Sequence, residues 1–268
     1  MKYIFLILIS SICLMSCTDQ DGITEQKNLI EKNTYYDSYN FRVQSLYEYN
    51  SKNQLTHTTH NRFNSNDELE YIEEETNYKY LEDGRVSSYQ IETSWPLYTS
   101  TLSPTTEYVT YDYNNHQRIG ETNLATSKAK TITLLDENDR PIEVKEYINE
   151  SEVGKRIYSW QNENIIKVEY FDKTSSGYLL SFERDKTYDN KLNPNKNKSN
   201  IFSSQNNTVS SIFKEYNSNS QLNITIYDNY DHKYDKDNYP ISYTMTRTST
   251  DSDNEVTVRA TYIYQSLN

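Results

Sequence analysis

The feature that most constrains this chain is a short text that recurs along it: an aromatic residue, a run of Asn, Asp and Ser, then an aliphatic residue. Tyr49-Asn50-Ser51-Lys52-Asn53-Gln54-Leu55, Tyr113-Asn114-Asn115-His116-Gln117-Arg118-Ile119 and Tyr216-Asn217-Ser218-Asn219-Ser220-Gln221-Leu222 share this plan. Leu81-Glu82-Asp83-Gly84-Arg85-Val86, Leu135-Asp136-Glu137-Asn138-Asp139-Arg140-Pro141-Ile142 and Trp160-Gln161-Asn162-Glu163-Asn164-Ile165 are looser copies. Asn, Asp and Ser tolerate left-handed backbone and bond their own main chain, so hairpins close at these sites without glycine. A chain with only 5 Gly but 27 Tyr among 268 residues turns often by this means.

Between the turns the text alternates. Val256, Val258, Ala260, Tyr262 and Tyr264 share one face of a strand, while Thr257, Arg259 and Thr261 occupy the other. Phe41, Val43, Tyr47 and Tyr49 alternate with Arg42, Gln44 and Glu48, and Val109, Tyr111 and Tyr113 with Thr110 and Asp112. Helix-period stripes are nearly absent. The pattern predicts an all-β domain over residues 36–268, an antiparallel meander of about 12 to 14 strands in consecutive hairpins, curled or barrel-like and soluble. A barrel lying in a membrane needs an apolar outer band on every strand. Leu69-Glu70-Tyr71-Ile72-Glu73-Glu74-Glu75-Thr76 instead places carboxylates on both faces at mid-strand. A hydrophobic content of 34%, much of it Tyr, suits a thin core and a wet outer face.

The N-terminus carries an address. Met1-Lys2-Tyr3 precedes the apolar run Ile4-Phe5-Leu6-Ile7-Leu8-Ile9, which is too short to span a bilayer. Leu14-Met15-Ser16-Cys17 then matches the bacterial lipobox, so residues 1–17 read as a lipoprotein signal peptide and Cys17 as the acylated first residue of the mature chain. Each buried acyl methylene contributes about 0.8 kcal/mol, so two or three chains anchor the protein without a second membrane segment. The expected address is the outer membrane of the cell envelope, with either face open. Residues 18–35 are polar and read as a flexible tether. Cys13 leaves with the signal and Cys17 carries lipid, so the mature chain has no thiol for a disulfide or a metal. A net charge of −12, one unit more negative once Lys2 is removed, disfavours nucleic acid as a partner.

The stretch Tyr188-Asp189-Asn190-Lys191-Leu192-Asn193-Pro194, a polar loop, Asn206-Asn207-Thr208-Val209 and a strand ending at Tyr216 resembles Bacteroidota lipoprotein families of unknown function whose soluble fold is described as porin-like. The hairpin texts also resemble the Tyr-Asp repeats of bacterial surface proteins. The resemblance implies an up-and-down β arrangement and no activity. By itself, Pro194 after Asn193 stops a strand, and Lys196-Asn197-Lys198-Ser199-Asn200 is too polar for core, which marks this region as the longest crossover.

No cofactor is expected. His57 and His60 lie three apart in a strand and point to opposite faces, and His116 and His232 lie in or near turns, so no metal site is assigned. Asp228, Asp231, Asp235, Asp237 and the Asp251-Ser252-Asp253-Asn254-Glu255 run do not complete a calcium loop and read as turn carboxylates. No Gly-x-Ser-x-Gly elbow or phosphate-cradling loop occurs, and no pair of acids stands out for glycoside hydrolysis, so no catalytic residue is nominated. Aromatics are the remaining lead. Trp95-Pro96-Leu97-Tyr98 opens an irregular connection reaching Pro104, where Trp95 and Tyr98 are candidate ligand contacts and a plug at one end of the domain is the alternative role for Trp95. Trp160 reads as core. The expected function is a non-catalytic, lipid-anchored module that binds a glycan or an envelope protein. A carboxylate enzyme on polysaccharide, or a structural subunit with free strand edges, is the alternative.

Overall fold

The computed structural model describes residues 27–98, 102–123, 127–194 and 201–267. Sixteen strands form one closed antiparallel barrel in which each strand pairs with its neighbours in sequence. They are β1 (Lys27–Tyr36), β2 (Phe41–Tyr49), β3 (Leu55–Phe63), β4 (Leu69–Tyr80), β5 (Val86–Ser94), β6 (Thr105–Asn114), β7 (Gln117–Asn123) and β8 (Lys128–Leu135). The second half comprises β9 (Pro141–Ile148), β10 (Ser151–Gln161), β11 (Asn164–Thr174), β12 (Gly177–Leu192), β13 (Asn206–Tyr216), β14 (Leu222–Tyr234), β15 (Pro240–Ser249) and β16 (Ser252–Ser266). β1 pairs with β16 from Lys27↔Ser266 to Tyr36↔Val258 and closes the barrel. The chain therefore enters and leaves at the same end, called here the near end. Connections alternate, so the 95–104 segment lies at the far end.

Three expectations change. The sheet has sixteen strands where 12 to 14 were expected, with some hairpins closing through only two residues, such as Asn149-Glu150 with φ of 46° and 68°. Residues 27–35, read as the end of the tether, belong to β1, because closure gives this short polar segment two strands to pair with. The connection after Leu192 is not a crossover: β12 and β13 are adjacent, and Asn206 and Asn207 donate side-chain bonds to the Lys191 and Leu192 carbonyls at 2.9 and 3.0 Å. The signal peptide, Cys17 and residues 18–26 lie outside the described residues.

The turns work as their composition requires. Asn50 Oδ1 accepts from the Lys52 and Gln54 amides at 2.8 and 3.1 Å, and Asn53 adopts φ 59°. Asn64, Asp136, Asn217 and Asp235 repeat the arrangement, with Asp67, Asp139, Ser220 and Asn238 in the left-handed position. Past these turns the ladder shifts register, so a bulged residue near the start of the next strand is re-aimed.

At the near end the aromatic that closes one strand donates to the carbonyl that opens the strand before it. Tyr49 bonds the Leu29 carbonyl (3.0 Å), Tyr80 that of Leu55 (2.6 Å) and Tyr113 that of Val86 (3.0 Å). Trp160 Nε1 bonds Pro141 (2.6 Å), Tyr188 bonds Ile165 (2.6 Å) and Tyr264 bonds Pro240 (2.7 Å). Every acceptor residue is buried. Trp160 packs against the Val144, Tyr158 and Ile165 cluster, in keeping with a core role.

A barrel of this many strands has a lumen too wide for aliphatic side chains alone. Tyrosines fill it: Tyr78 stacks on Tyr89 at 5.1 Å, Tyr170 on Phe182 at 4.9 Å, and Tyr243 meets Tyr230 at 5.6 Å and Tyr262 at 6.1 Å. Gly120 makes room for one ring, since a Cβ there would lie 2.9 Å from Tyr111. The outward positions carry charge, with Glu121–Lys128 at 2.7 Å, Lys167–Glu169 at 3.0 Å and Lys214–Glu183 at 2.6 Å. Charges in such positions are strongly destabilising where a barrel surface faces lipid.

Tyr49→Phe leaves the buried Leu29 carbonyl unpaired and is expected to cost about 1 kcal/mol in urea unfolding. A second prediction concerns β1. Lys27 Nζ lies 2.8 Å from Asp235 and 2.6 Å from Asp237. Burial opposes ionisation of Asp235, but Lys27 and the Tyr239 and Asp237 amides hold its carboxyl below the usual range; Lys27 does the same for Asp237. Carboxyls depressed in the folded state stabilise it fully above about pH 4 and lose that contribution as pH falls through their lowered folded values. The protection factors of the β1 amides, which discount the intrinsic pH dependence of exchange, should therefore fall on acidification below pH 4, and Lys27→Met should remove most of that dependence.

Candidate functional site

Toward the far end lies a pocket of about 550 Å³. β5 ends at Ser94, and Trp95 leads into a single 3-10 turn, Pro96–Tyr98, held by the Tyr98 amide on the Trp95 carbonyl at 2.9 Å. The Leu102 amide returns to the Tyr98 carbonyl at 2.8 Å; residues 99–101 lie outside the described residues. This folds Trp95, Tyr98 and Leu102 over the ends of β2, β3 and β4, where Val43, His60, Arg62, Glu70 and Tyr71 complete the lining. Both sequence candidates, Trp95 and Tyr98, thus fall in one pocket. Trp95 is half-buried and meets Tyr71 at 6.0 Å with ring planes 59° apart.

The polar groups are ordered by one another. The Tyr98 hydroxyl donates to Glu70 Oε1 at 3.1 Å, and Arg62 Nε lies 3.3 Å from Glu70 Oε2. The Glu70 carboxylate raises the Tyr98 hydroxyl above its ordinary pKa, so Tyr98 is a proton donor at neutral pH. The Tyr71 hydroxyl donates to Glu73 at 2.7 Å, and burial followed by that carboxylate pushes it up to about 12. His60 Nδ1 lies 2.8 Å from Ser45 Oγ, and the Arg62 guanidinium sits 4.5 Å above the Phe41 ring. The result is a corner of two aromatic rings edged by a fixed carboxylate, a guanidinium and phenol hydroxyls. Among the described residues, Glu70 is the carboxylate in this lining.

Glu70, Tyr71 and Arg62 were not singled out from the sequence. Strict alternation puts Glu70 and Tyr71 on opposite faces, but the register shift between Arg62 and Phe63 leaves Glu70 bulged, so both line the pocket. The Asn64-Ser65-Asn66-Asp67-Glu68 turn before Leu69 is the signal that announces such a bulge.

The histidines separate as expected. His57 faces outward, 3.4 Å from Glu74, while His60 faces the lumen; His116 takes φ 59° in a two-residue turn, and His232 bonds the Thr208 carbonyl at 2.9 Å. Asp228 pairs with Arg247 at 2.7 Å, and Asp235 and Asp237 hold Lys27. No cluster of three or more metal-ligating side chains occurs among the described residues.

No protein-family model matches the chain, and no curated protein matches it. Among solved structures, a porin-like protein from Bacteroides uniformis ATCC 8492 aligns with a TM-score of 0.45 at 12% identity, over 89% of this chain and 98% of that one. The up-and-down barrel described above is a porin-like arrangement on the strength of its own strand pairing.

Opening the corner tests the geometry. Trp95→Ala should leave the urea midpoint nearly unchanged, because Trp95 is only half-buried. It should also leave the acrylamide quenching of the remaining tryptophan, Trp160, unchanged, since the two indoles lie at opposite barrel ends.

Proposed function

We propose that this chain is a lipid-anchored protein of the bacterial cell envelope whose barrel binds a glycan at its far mouth without altering it. Cys17 carries the acyl chains at the outer membrane, and the residues between Cys17 and Lys27 connect the lipid to β1. The observation that carries the reading is polarity along the barrel: Trp95 and Tyr98 line a pocket at the end opposite the one where the chain enters. A tether at the near end presents that pocket away from the membrane.

The chemistry suits a sugar. C–H faces of a pyranose stack on rings such as Trp95 and Tyr71, while Glu70, Arg62 and Tyr98 are placed to take hydroxyls. Tyr39, Leu97, Tyr98, Leu102 and Leu222 are exposed apolar side chains on the same rim. Of these, Tyr98 and Leu102 belong to the pocket itself. A structural role through donated strands needs a free sheet edge, and the closed pairing of β1 with β16 removes it.

Cys17→Ser should shift the protein from the membrane to the soluble fraction or leave it unprocessed; unchanged membrane fractionation would overturn the anchor. For the site, a glycan array probed with residues 18–268 should give ligands whose affinity falls about tenfold or more in Trp95→Ala, a loss of roughly 1.4 kcal/mol or greater. Equal binding by wild type and Trp95→Ala would place recognition elsewhere.

A further inference from the structure

Charge inside the barrel is unevenly matched. Arg247 is paired with Asp228 at 2.7 Å, and Arg156 with Glu146. Lys32 rests its ammonium on the rings of Tyr243 and Tyr262, 5.7 and 5.6 Å away. Arg118 on β7 and Arg184 and Lys186 on β12 face the lumen with no carboxylate in ion-pair contact among the described residues. Arg118 is only 8% exposed; its guanidinium lies 4.5 Å from the Tyr111 ring and 5.2 Å from Phe202, beside the Tyr113 hydroxyl. The Nε atoms of Arg118 and Arg184 are both buried without an acceptor. Lys186 stands two residues from Arg184 on the same face, and burial followed by that neighbouring charge pushes its ammonium below its ordinary pKa. Buried cations left without an anion are costly, and a guanidinium does not escape by losing its proton.

Two cavities meet at Phe202. One, of about 410 Å³, holds Arg118, Glu75 and the rings of Tyr47, Tyr78, Tyr89 and Tyr111. The other, of about 390 Å³, holds Lys186 and the Arg156–Glu146 pair. His60 borders both the first cavity and the pocket at the far mouth. Trp95, His60 and Arg118 thus follow one another from the far mouth inward.

We propose that the lumen around Arg118 is a binding site for the carboxylate of an acidic sugar, which makes the ligand of the mouth a uronate-bearing oligosaccharide. This rests on the glycan reading of the far mouth and adds its chemical class. A carboxylate takes two parallel N–H bonds from a guanidinium, supplying the anion that Arg118 lacks. Glu75, already bonded by the Tyr78 hydroxyl, and the surrounding phenols are available to sugar hydroxyls. Lys186 and Arg184 extend the positive field past Phe202 for a second acidic unit.

The test is calorimetry on residues 18–268 at fixed ionic strength with tetragalacturonate and its carboxyl-reduced, neutral counterpart. The acidic tetramer is expected to bind wild type about tenfold more tightly, the scale of a charged hydrogen-bonded contact. Arg118→Met should abolish that preference and leave the neutral tetramer unaffected, Arg118→Lys should keep part of it, and Trp95→Ala should weaken both tetramers. Without ligand, Arg118→Met should melt no lower than wild type, because an uncompensated buried charge has been removed; a purely structural arginine would melt lower. Monomeric galacturonate reads the lumen apart from the mouth: it should raise the melting temperature of wild type and of Trp95→Ala but not of Arg118→Met. Equal affinity for both tetramers, or a preference that survives Arg118→Met, overturns the acidic site while leaving neutral binding at Trp95 standing. Loss of neutral binding with the galacturonate shift intact overturns the mouth reading alone.

Discussion

The barrel depends on one hydrogen bond repeated around its near end: an aromatic donor at the close of a strand on the carbonyl that opens the strand before it. A buried carbonyl must find a partner, and the bulges beside these turns interrupt the regular ladder where it would otherwise be found. Tyr49, Tyr80, Tyr113, Trp160, Tyr188 and Tyr264 supply the donor and, with the same ring, cover the buried aliphatic or proline that carries the acceptor. One side chain thus does the work of a core residue and of a cap. That economy explains how so hydrophilic a chain closes a sixteen-stranded sheet.

The same residue type sets the character of the lumen. Tyrosine fills width that Leu or Val cannot reach, yet each ring brings a hydroxyl that draws polar partners inward. Glu75 with Tyr78 and Glu73 with Tyr71 are of this kind. Charges such as Arg118 and Lys186 are tolerated within such a wall, where an aliphatic core would exclude them. The near end is knit by the aromatic caps, whereas the far end is ringed by exposed Tyr39, Leu97, Tyr98 and Leu102. The two ends thus differ in kind: the aromatic caps gather at the near end, while the Trp95 and Tyr98 side chains lie at the far one.

Much of this was legible in the sequence. The repeated turn text announced the meander, the alternation in Val256–Tyr264 predicted which face is buried, and Asn and Asp occupy the left-handed turn positions as their side chains allow. Trp95 and Tyr98 stood out as aromatics in an irregular connection. Lys27–Tyr36 was hidden because a polar segment becomes a strand only when its partners, β2 and β16, arrive from 5 and more than 200 residues away in the chain. Glu70 was hidden because one bulge reverses the face that alternation assigns.

The sequence by itself determined the class of fold, since hairpin chemistry and period-two patterning are local properties of a few adjacent residues. It also determined the aromatic character of the segment after Ser94. Tertiary structure alone decided that the sheet closes, because closure is a pairing between the first and last strands that no local pattern encodes. It decided which carbonyl each tyrosine caps, since the partners stand 20 residues apart for Tyr49 and 27 for Tyr113 and meet only through strand register. It likewise brought Trp95, Tyr71 and Glu70 to one mouth and set Arg118 in the lumen without a counterion, because curvature turns the inward faces of distant strands toward one another.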